Sequence, residues 1–154
     1  MKNEVSQKSS KAQIEKKIQR ILNESSLNHS SLRCYVLYKF VASGKPVSAS
    51  EILQALSKSG KKINKTSVYR EIDKLLTRGV LKEVVLSGEK KMYELASLEH
   101  HHHLVCKSCG CVLDFHSEEL EKCIKGLEEG FKVNSGFEAE DHAIEFFGLC
   151  SKCH

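Results

Sequence analysis

The chain has 154 residues, 40% of them hydrophobic, with no Trp and one Pro, so it can hold one domain or two small ones but no large core. No run reaches the roughly 18 apolar residues of a membrane span, and the polar stretch from Met1 to Lys17 lacks the apolar core of a signal peptide. These features predict a cytoplasmic protein without a membrane segment, whose seven cysteines serve metal binding rather than disulfides.

Charge divides the chain. Through Leu95 there are 19 Lys and Arg against 9 Asp and Glu; from Ala96 on the counts are 5 and 11. A basic first half suits a polyanion such as DNA, and an acidic, Cys/His-rich second half suits divalent cations. The competing reading is two solvated surfaces of opposite sign.

Ser10 to Asn23 reads as an amphipathic helix with Ile14, Ile18, Ile21 and Leu22 near helical spacing. Ser31 to Val41 is a second helix, with Leu32, Tyr35, Val36, Leu37, Tyr38 and Val41 as its apolar set. The only proline marks the turn after it. Ser48-Ala49-Ser50-Glu51 is a capping box that opens a third helix through about Leu56. Asn64 to Arg78 is a fourth, with Val68, Ile72, Leu75 and Leu76 as one buried stripe and Gly79 as its C-terminal glycine. Leu81 to Val85 and Lys91 to Leu95 form a hairpin around Ser87-Gly88-Glu89. That order is a winged helix-turn-helix, whose fourth helix would enter the major groove.

After a short linker near Ala96 to Glu99 the pattern changes. His102 to Val105 and Val112 to Phe115 are short strands. Ser117 caps a helix running to about Glu129 and ended by Gly130. His142 to Leu149 is a last strand, and Phe131 to Val133 is a candidate for another. The fold class is therefore α+β: a winged helix-turn-helix domain over residues 1–95, then a small zinc-stapled α/β domain over 96–154. The second core is thin, and a metal staple would compensate.

Three motifs carry chemistry. Cys106-x-x-Cys109 and Cys150-x-x-Cys153 together supply four thiolates, the ligand set of a closed, structural zinc site. Cys150-Ser-Lys-Cys153-His154 also matches a c-type haem attachment, but that chemistry needs export and leaves Cys106 and Cys109 unused. Cys111 reads as surplus, because four ligands complete the tetrahedron. Cys34 and Cys123 read as small buried hydrophobes on helices.

His100 to His103 run into the first cysteine pair. On a strand their side chains alternate. His101 and His103 can join Glu94 and Asp114 on one face, while His100 and His102 can join Glu121 and His142 on the other. Such nitrogen/oxygen sets suit Fe, Mn, Zn, Co or Ni. The fourth helix presents Lys65, Thr66, Ser67, Tyr69 and Arg70 at its start. Arg can pair with guanine, and Tyr or Thr can meet a thymine methyl or a phosphate. An ordinary exposed helix face is the alternative.

At these residues the chain resembles the ferric uptake regulator family of metal-dependent repressors, from about Gln13 to Cys153. Thr66-Ser-Val-Tyr-Arg-Glu-Ile72 is similar to the family's recognition-helix motif. Tyr93-Glu-Leu95, the histidine run, Leu104-Val-Cys-x-x-Cys-Gly110, Asp114-Phe115 and His142-x-Ile-Glu-Phe-Phe-Gly-x-Cys-x-x-Cys153 follow in the family's order. The resemblance implies a DNA-binding domain plus a dimerisation domain. It implies structural zinc on Cys106, Cys109, Cys150 and Cys153, and a regulatory metal on Glu94, His101, His103 and Asp114. A further site on His100, His102, Glu121 and His142 and DNA contacts through Tyr69 and Arg70 follow in the same way.

Two departures stand out. Gly44-Lys-Pro-Val47 lacks the histidine that many members place there, and His102 stands where iron regulators often have Asp. The resulting expectation is a homodimeric, non-enzymatic repressor of a palindromic double-stranded DNA operator. It would carry Zn2+ as structural metal and Fe2+, Zn2+ or Mn2+ as corepressor, with iron first. The alternatives are a zinc-uptake or peroxide-stress regulator of the same family, and a metalloenzyme using the His/carboxylate site.

Overall fold

The computed structural model describes residues 10–60, 62–84 and 91–154. The chain forms two compact units divided between Leu98 and Glu99.

In the first unit, Ser10 closes a capping box with Gln13 and starts α1 (Lys11–Glu24). Ile14, Ile18, Ile21 and Leu22 of α1 are all buried, as their spacing requires. Helix α2 (Ser31–Ser43) is capped by Ser30 and ends at Gly44, whose φ of 60° is the left-handed conformation glycine adopts without strain. Tyr38, expected in its apolar set, faces solvent. The Ser48–Glu51 capping box opens α3 (Ala49–Lys58), two residues longer than the sequence suggests. Asn64 caps α4 (Lys65–Thr77) by accepting the N–H of Thr66 at 2.9 Å.

Val68, Ile72 and Leu75 of α4 are completely buried, each contributing about 1.5–3 kcal/mol by its removal from water. At the end of α4, Val80 N–H bonds Leu75 C=O and Gly79 N–H bonds Leu76 C=O, both at 2.9 Å. This is a Schellman closure, and it delivers Val80 and Leu81 into the core and the chain into β2 (Leu81–Val84). A three-stranded sheet follows in the order β1-β3-β2, with β1 (Val47–Ser48) and β3 (Met92–Leu95) antiparallel neighbours. The expected turn at Ser87-Gly88-Glu89, and Val85, lie outside the described residues. Arg33 of α2 is buried and pairs with Glu71 of α4, Nε to Oε1 at 2.5 Å. That pair ties α4 to the core by a charge-assisted bidentate contact.

The second unit is β4 (His102–Cys106), β5 (Val112–Phe115), α5 (Glu118–Ser135) and β6 (Glu145–Gly148). Its sheet runs β5-β4-β6, with β4 antiparallel to β5 and parallel to β6. Cys106, Val112 and Ile124 are its buried apolar side chains among the described residues.

Three expectations are corrected here. Helix α5 passes through Gly130 and makes Phe131 to Val133 helical. The stripe Ile124, Leu127, Phe131 keeps helical spacing, and an interior glycine costs only about 1 kcal/mol against Ala. The helix stops at Gly136, at φ 70°, whose N–H reaches Lys132 C=O. The last strand is shorter than His142 to Leu149, because its pairing with β4 begins at His103↔Glu145. Cys123 is exposed rather than buried, whereas Cys34 is half-buried against the core of the first unit.

Candidate metal centres and nucleic-acid face

The first chemical feature is a thiol cluster at one end of β4. Sγ atoms of Cys106, Cys109, Cys111 and Cys150 all lie within 4.8 Å of one another. Cys109 and Cys150 are 3.8 Å apart, Sγ to Sγ. Thiolates at about 2.3 Å from a tetrahedral zinc stand about 3.8 Å from each other, so the spacing fits that ion. The backbone prepares the charge. N–H groups of Cys109 and Cys150 bond the Cys106 sulfur and pull its pKa down to about 6. The Cys150 bond measures 3.3 Å. Hydrogen bonds with Cys109, burial, and a hydrogen bond with Cys150 push Cys111 up to about 12. At Cys153 a hydrogen bond with Ser108 works downward, but bonds with the thiols of Cys150 and Cys109, burial, and a bond with Cys106 push it up to about 12. Neutral thiols of this kind are what a bare cluster keeps when several negative charges cannot share one small volume.

The second feature lies on one face of the histidine run. His100, His102, Glu121 and His142 place one ligand atom each within 4.8 Å of the others. His102 Nε2 is 2.7 Å from Glu121 Oε1, and His100 Nε2 is 3.5 Å from the same oxygen. His142 Nε2 is 3.5 Å from Glu121 Oε2. The four come from the segment just before β4, the start of β4, the first turn of α5 and the loop before β6.

The charge state of the cluster follows from its burial. Burial, opposed by Glu121 and seconded by His142 and His102, holds His100 below its usual pKa. Burial acts against the charged form of Glu121, yet the His102 hydrogen bond and the three neighbouring imidazoles hold its carboxyl below the usual range. His102 is 1% exposed, and its Nδ1 has no hydrogen-bond partner. Such a buried orphan costs about 1–3 kcal/mol, and three imidazoles with one carboxylate form a donor set that a first-row divalent cation fits.

On the opposite face, the rings of His101 and His103 meet edge to face, with centroids 4.8 Å apart. His103 is paired across the β4–β5 ladder with Asp114, Nε2 to Oδ1 at 4.0 Å. Glu94 belongs to the first unit, where it is buried at the end of β3. Its cross-strand partner Lys82 reaches Oε1 at 3.1 Å.

The third feature is the outward face of α4. Lys65, Thr66, Ser67, Tyr69 and Arg70 are all exposed, while Val68 between them is fully buried. Lys65 Nζ stands 5.6 Å from the centre of the Tyr69 ring, a cation–π contact that orients both side chains.

Sequence reasoning missed two residues. Cys111 joins the thiol cluster because the β4–β5 register puts it opposite Cys106, with Cys106 N–H bonding Cys111 C=O at 2.9 Å. Glu128 lies outside the sequence motifs, yet its Oε1 lies 3.1 Å from His142 Nδ1. It follows Glu121 by seven residues, two helical turns on the same face, and that spacing was a readable signal.

A helix-turn-helix unit with an exposed cationic recognition helix, followed by a small α/β unit holding a thiol cluster and an imidazole–carboxylate cluster, defines a metal-responsive regulator. The chain belongs to the ferric uptake regulator family, whose model matches residues 24–147. It is 30% identical over 133 residues to the ferric uptake regulation protein of Neisseria meningitidis serogroup A, covering 86% of this chain and 90% of that one. It is similar to the solved structure of the ferric uptake regulator from Francisella tularensis with iron, at a TM-score of 0.71 and 26% identity over 82% of this chain and 94% of that one. A zinc uptake regulator complexed with zinc and DNA shares the fold, with a TM-score of 0.65 and 23% identity over 94% and 95% of the two chains.

Proposed function

We propose that this chain is a transcriptional repressor that binds a palindromic double-stranded DNA operator as a homodimer, with a divalent metal as corepressor and iron ahead of zinc. The observation that carries the reading is the α4 face. Five polar or cationic side chains project outward from a helix whose inward stripe is completely buried. A helix so anchored can enter a major groove without disturbing its own core. Arg70 would read a base edge, Tyr69 and Thr66 would meet a thymine methyl or a phosphate, and Lys65 and Ser67 would hold the backbone.

Residues 1–95 form the DNA-binding domain in this reading, and 96–154 the metal-binding dimerisation domain. Leu113, Leu127, Phe131, Phe146, Phe147 and Leu149 of the second unit are all substantially exposed. A monomer seldom leaves so many large apolar side chains in water, and a second copy of the chain would cover them. Structural zinc sits in the thiol cluster, on the set Cys106, Cys109, Cys150 and Cys153 that the resemblance supplies. The regulatory metal is assigned to Glu94, His101, His103 and Asp114, and a further metal to His100, His102, Glu121 and His142. Bound there, the metal supplies positive charge that draws its ligands together; the chain's part is to hold neutral imidazoles and ionised carboxylates in reach.

Iron as first choice is supported by the Neisseria and Francisella relatives, which are ferric regulators. Zinc is the second reading, and His102 favours it. Three imidazoles and one carboxylate make a more nitrogen-rich, less negative set than one with a second carboxylate. The test is an anaerobic titration of the purified dimer with Fe2+, Mn2+ and Zn2+, read by retention of an operator fragment. Retention that rises with Fe2+ at lower free concentration than with Zn2+ supports the iron reading. DNA binding indifferent to every metal would overturn corepression.

A further inference from the structure

Strand β4 is the middle strand of its sheet, so its residues have neighbours on both sides. His103 is paired with Asp114 of β5 and with Glu145 of β6. Backbone bonds hold the parallel register with β6 at both ends of the ladder. His103 N–H donates to Ile144 C=O at 3.4 Å, and Lys107 N–H donates to Gly148 C=O at 2.8 Å. Cross-strand partners share one face of a sheet. One imidazole therefore stands between two carboxylates in the row Asp114, His103, Glu145. His101, two residues ahead, lies on the same face by alternation, and its ring meets that of His103 at 4.8 Å between centroids.

The surroundings of the row favour a cation. The next row on this face is Val112, Val105 and Phe147, which offers the carboxylates no hydrogen-bond donor from its side chains. Neighbouring strands lie about 4.7–4.9 Å apart, so Asp114 and Glu145 start about 9–10 Å from each other across His103. Both side chains can lean inward over the ring. Asp114 Oδ1 is already 4.0 Å from His103 Nε2. Glu145 is half-buried, and its carboxylate has no hydrogen bond or ion pair among the described residues. Two like charges bracketing one ring repel each other, and an opposite charge between them reverses that cost.

We propose that Glu145 is a ligand of the regulatory metal, standing in for the histidine that Gly44-Lys-Pro-Val47 does not supply. The inference rests on the regulatory-metal reading of His101, His103 and Asp114. It gives the second unit two imidazoles and two carboxylates of its own, a set able to hold a metal before the first unit takes part. Glu94 then contributes the link to the first unit rather than the grip on the ion. An added carboxylate also makes the set more oxygen-rich, which suits Fe2+ and Mn2+.

The test uses the full zinc-loaded chain in a Glu121→Gln background, which disables the cluster on the opposite face. Mn2+ binding is read from the loss of the free-ion electron paramagnetic resonance signal, and the ligand set from the visible absorption of bound Co2+. H103A and D114N mark the site, and E145Q keeps the length of the native side chain while removing its charge. E145Q is expected to lower Mn2+ affinity about 10–100-fold, at least the loss that follows removal of an outer-shell partner, and to shift the Co2+ bands. Unchanged Mn2+ affinity in E145Q, with H103A and D114N losing the metal, would overturn Glu145 as a ligand and leave the regulatory site standing. Weaker Mn2+ binding with an unaltered Co2+ spectrum would also overturn it, because Glu145 would then act only through its charge. Wild-type binding by H103A and D114N as well would bring down the regulatory-metal reading, and the inference with it.

Discussion

Glu128 Oε1 stands 3.1 Å from Nδ1 of His142, and the opposite ring nitrogen, Nε2, faces Glu121 Oε2 at 3.5 Å. One carboxylate therefore orients the imidazole while another shares the donor cluster with it. This is the carboxylate–histidine arrangement that fixes tautomer and ring orientation at metal sites and raises ligand basicity.

Removing the orienting carboxylate should weaken the cluster without dismantling it. Glu128→Gln is expected to lower divalent-metal affinity at His100, His102, Glu121 and His142 by about 10–100-fold, and to leave the thiol-bound zinc in place. Competition with a chromophoric chelator measures the first, and zinc content after gel filtration the second. Unchanged affinity in the variant would show that Glu128 is a passive neighbour.

Much of this was legible in the sequence, and the residues show why. Alternation along a strand separates His101 and His103 from His100 and His102, and the ladder then pairs His103 with Asp114. The capping box at Ser48 and the glycine after α4 are local signals, written in adjacent residues. Cys111 and Glu128 were harder, because each matters through a neighbour fixed by tertiary register. The end of α5 was misjudged because Gly130 reads as a stop when the apolar spacing across it is ignored. Cys123 looked buried because helical cysteines usually are, but its position on α5 faces water.

Acid should act on the imidazole cluster in a predictable direction. His100 has a folded pKa below its ordinary value of 6.5, and Glu121 one below 4.5. For both, the unfolded chain binds protons more readily, so their contribution to stability is present above the unfolded pKa and is lost as pH falls through the folded one. Protein without metal at this cluster should therefore lose thermal stability first below about pH 6.5, as His100 is forced to protonate, and again below about 4.5 with Glu121. His100→Gln should flatten the first step. Unfolding midpoints of wild type and variant between pH 8 and pH 4 check this, and identical profiles would remove His100 as the cause.

On the proposed reading, the α4 face separates base reading from backbone holding. Arg70→Ala should lower operator binding by about 1–3 kcal/mol and relax the choice of base at its contact. Lys65→Ala should weaken specific and non-specific DNA alike and reduce the slope of log K against log salt by about one. Both side chains are exposed, so neither variant should unfold the helix. Fluorescence anisotropy over a salt series, with operator and scrambled duplexes, reads both effects. Normal operator binding by Arg70→Ala would place the recognition residues elsewhere.

The last prediction concerns which histidine face controls DNA binding. In the proposed regulatory set, Glu94 comes from the first unit, while His101, His103 and Asp114 come from the second. Gly44-Lys-Pro-Val47 supplies no histidine, so Glu94 is left to carry the coupling. A ligand shifts an equilibrium only by its difference in affinity for the two states, and couplings of this kind are typically about 1–3 kcal/mol. Glu94 is buried with Lys82 Nζ 3.1 Å from its Oε1, so its carboxylate is held in place before any metal arrives. Glu94→Gln should keep the dimer and its structural zinc yet lose most of the metal-dependent gain in operator binding. His100→Ala, on the opposite face of the run, should leave most of that gain intact. Operator retention against free metal concentration for both variants decides the matter. Should His100→Ala abolish the response while Glu94→Gln preserves it, the regulatory site lies on the face of His100, His102 and Glu121, and the roles of the two sets are exchanged.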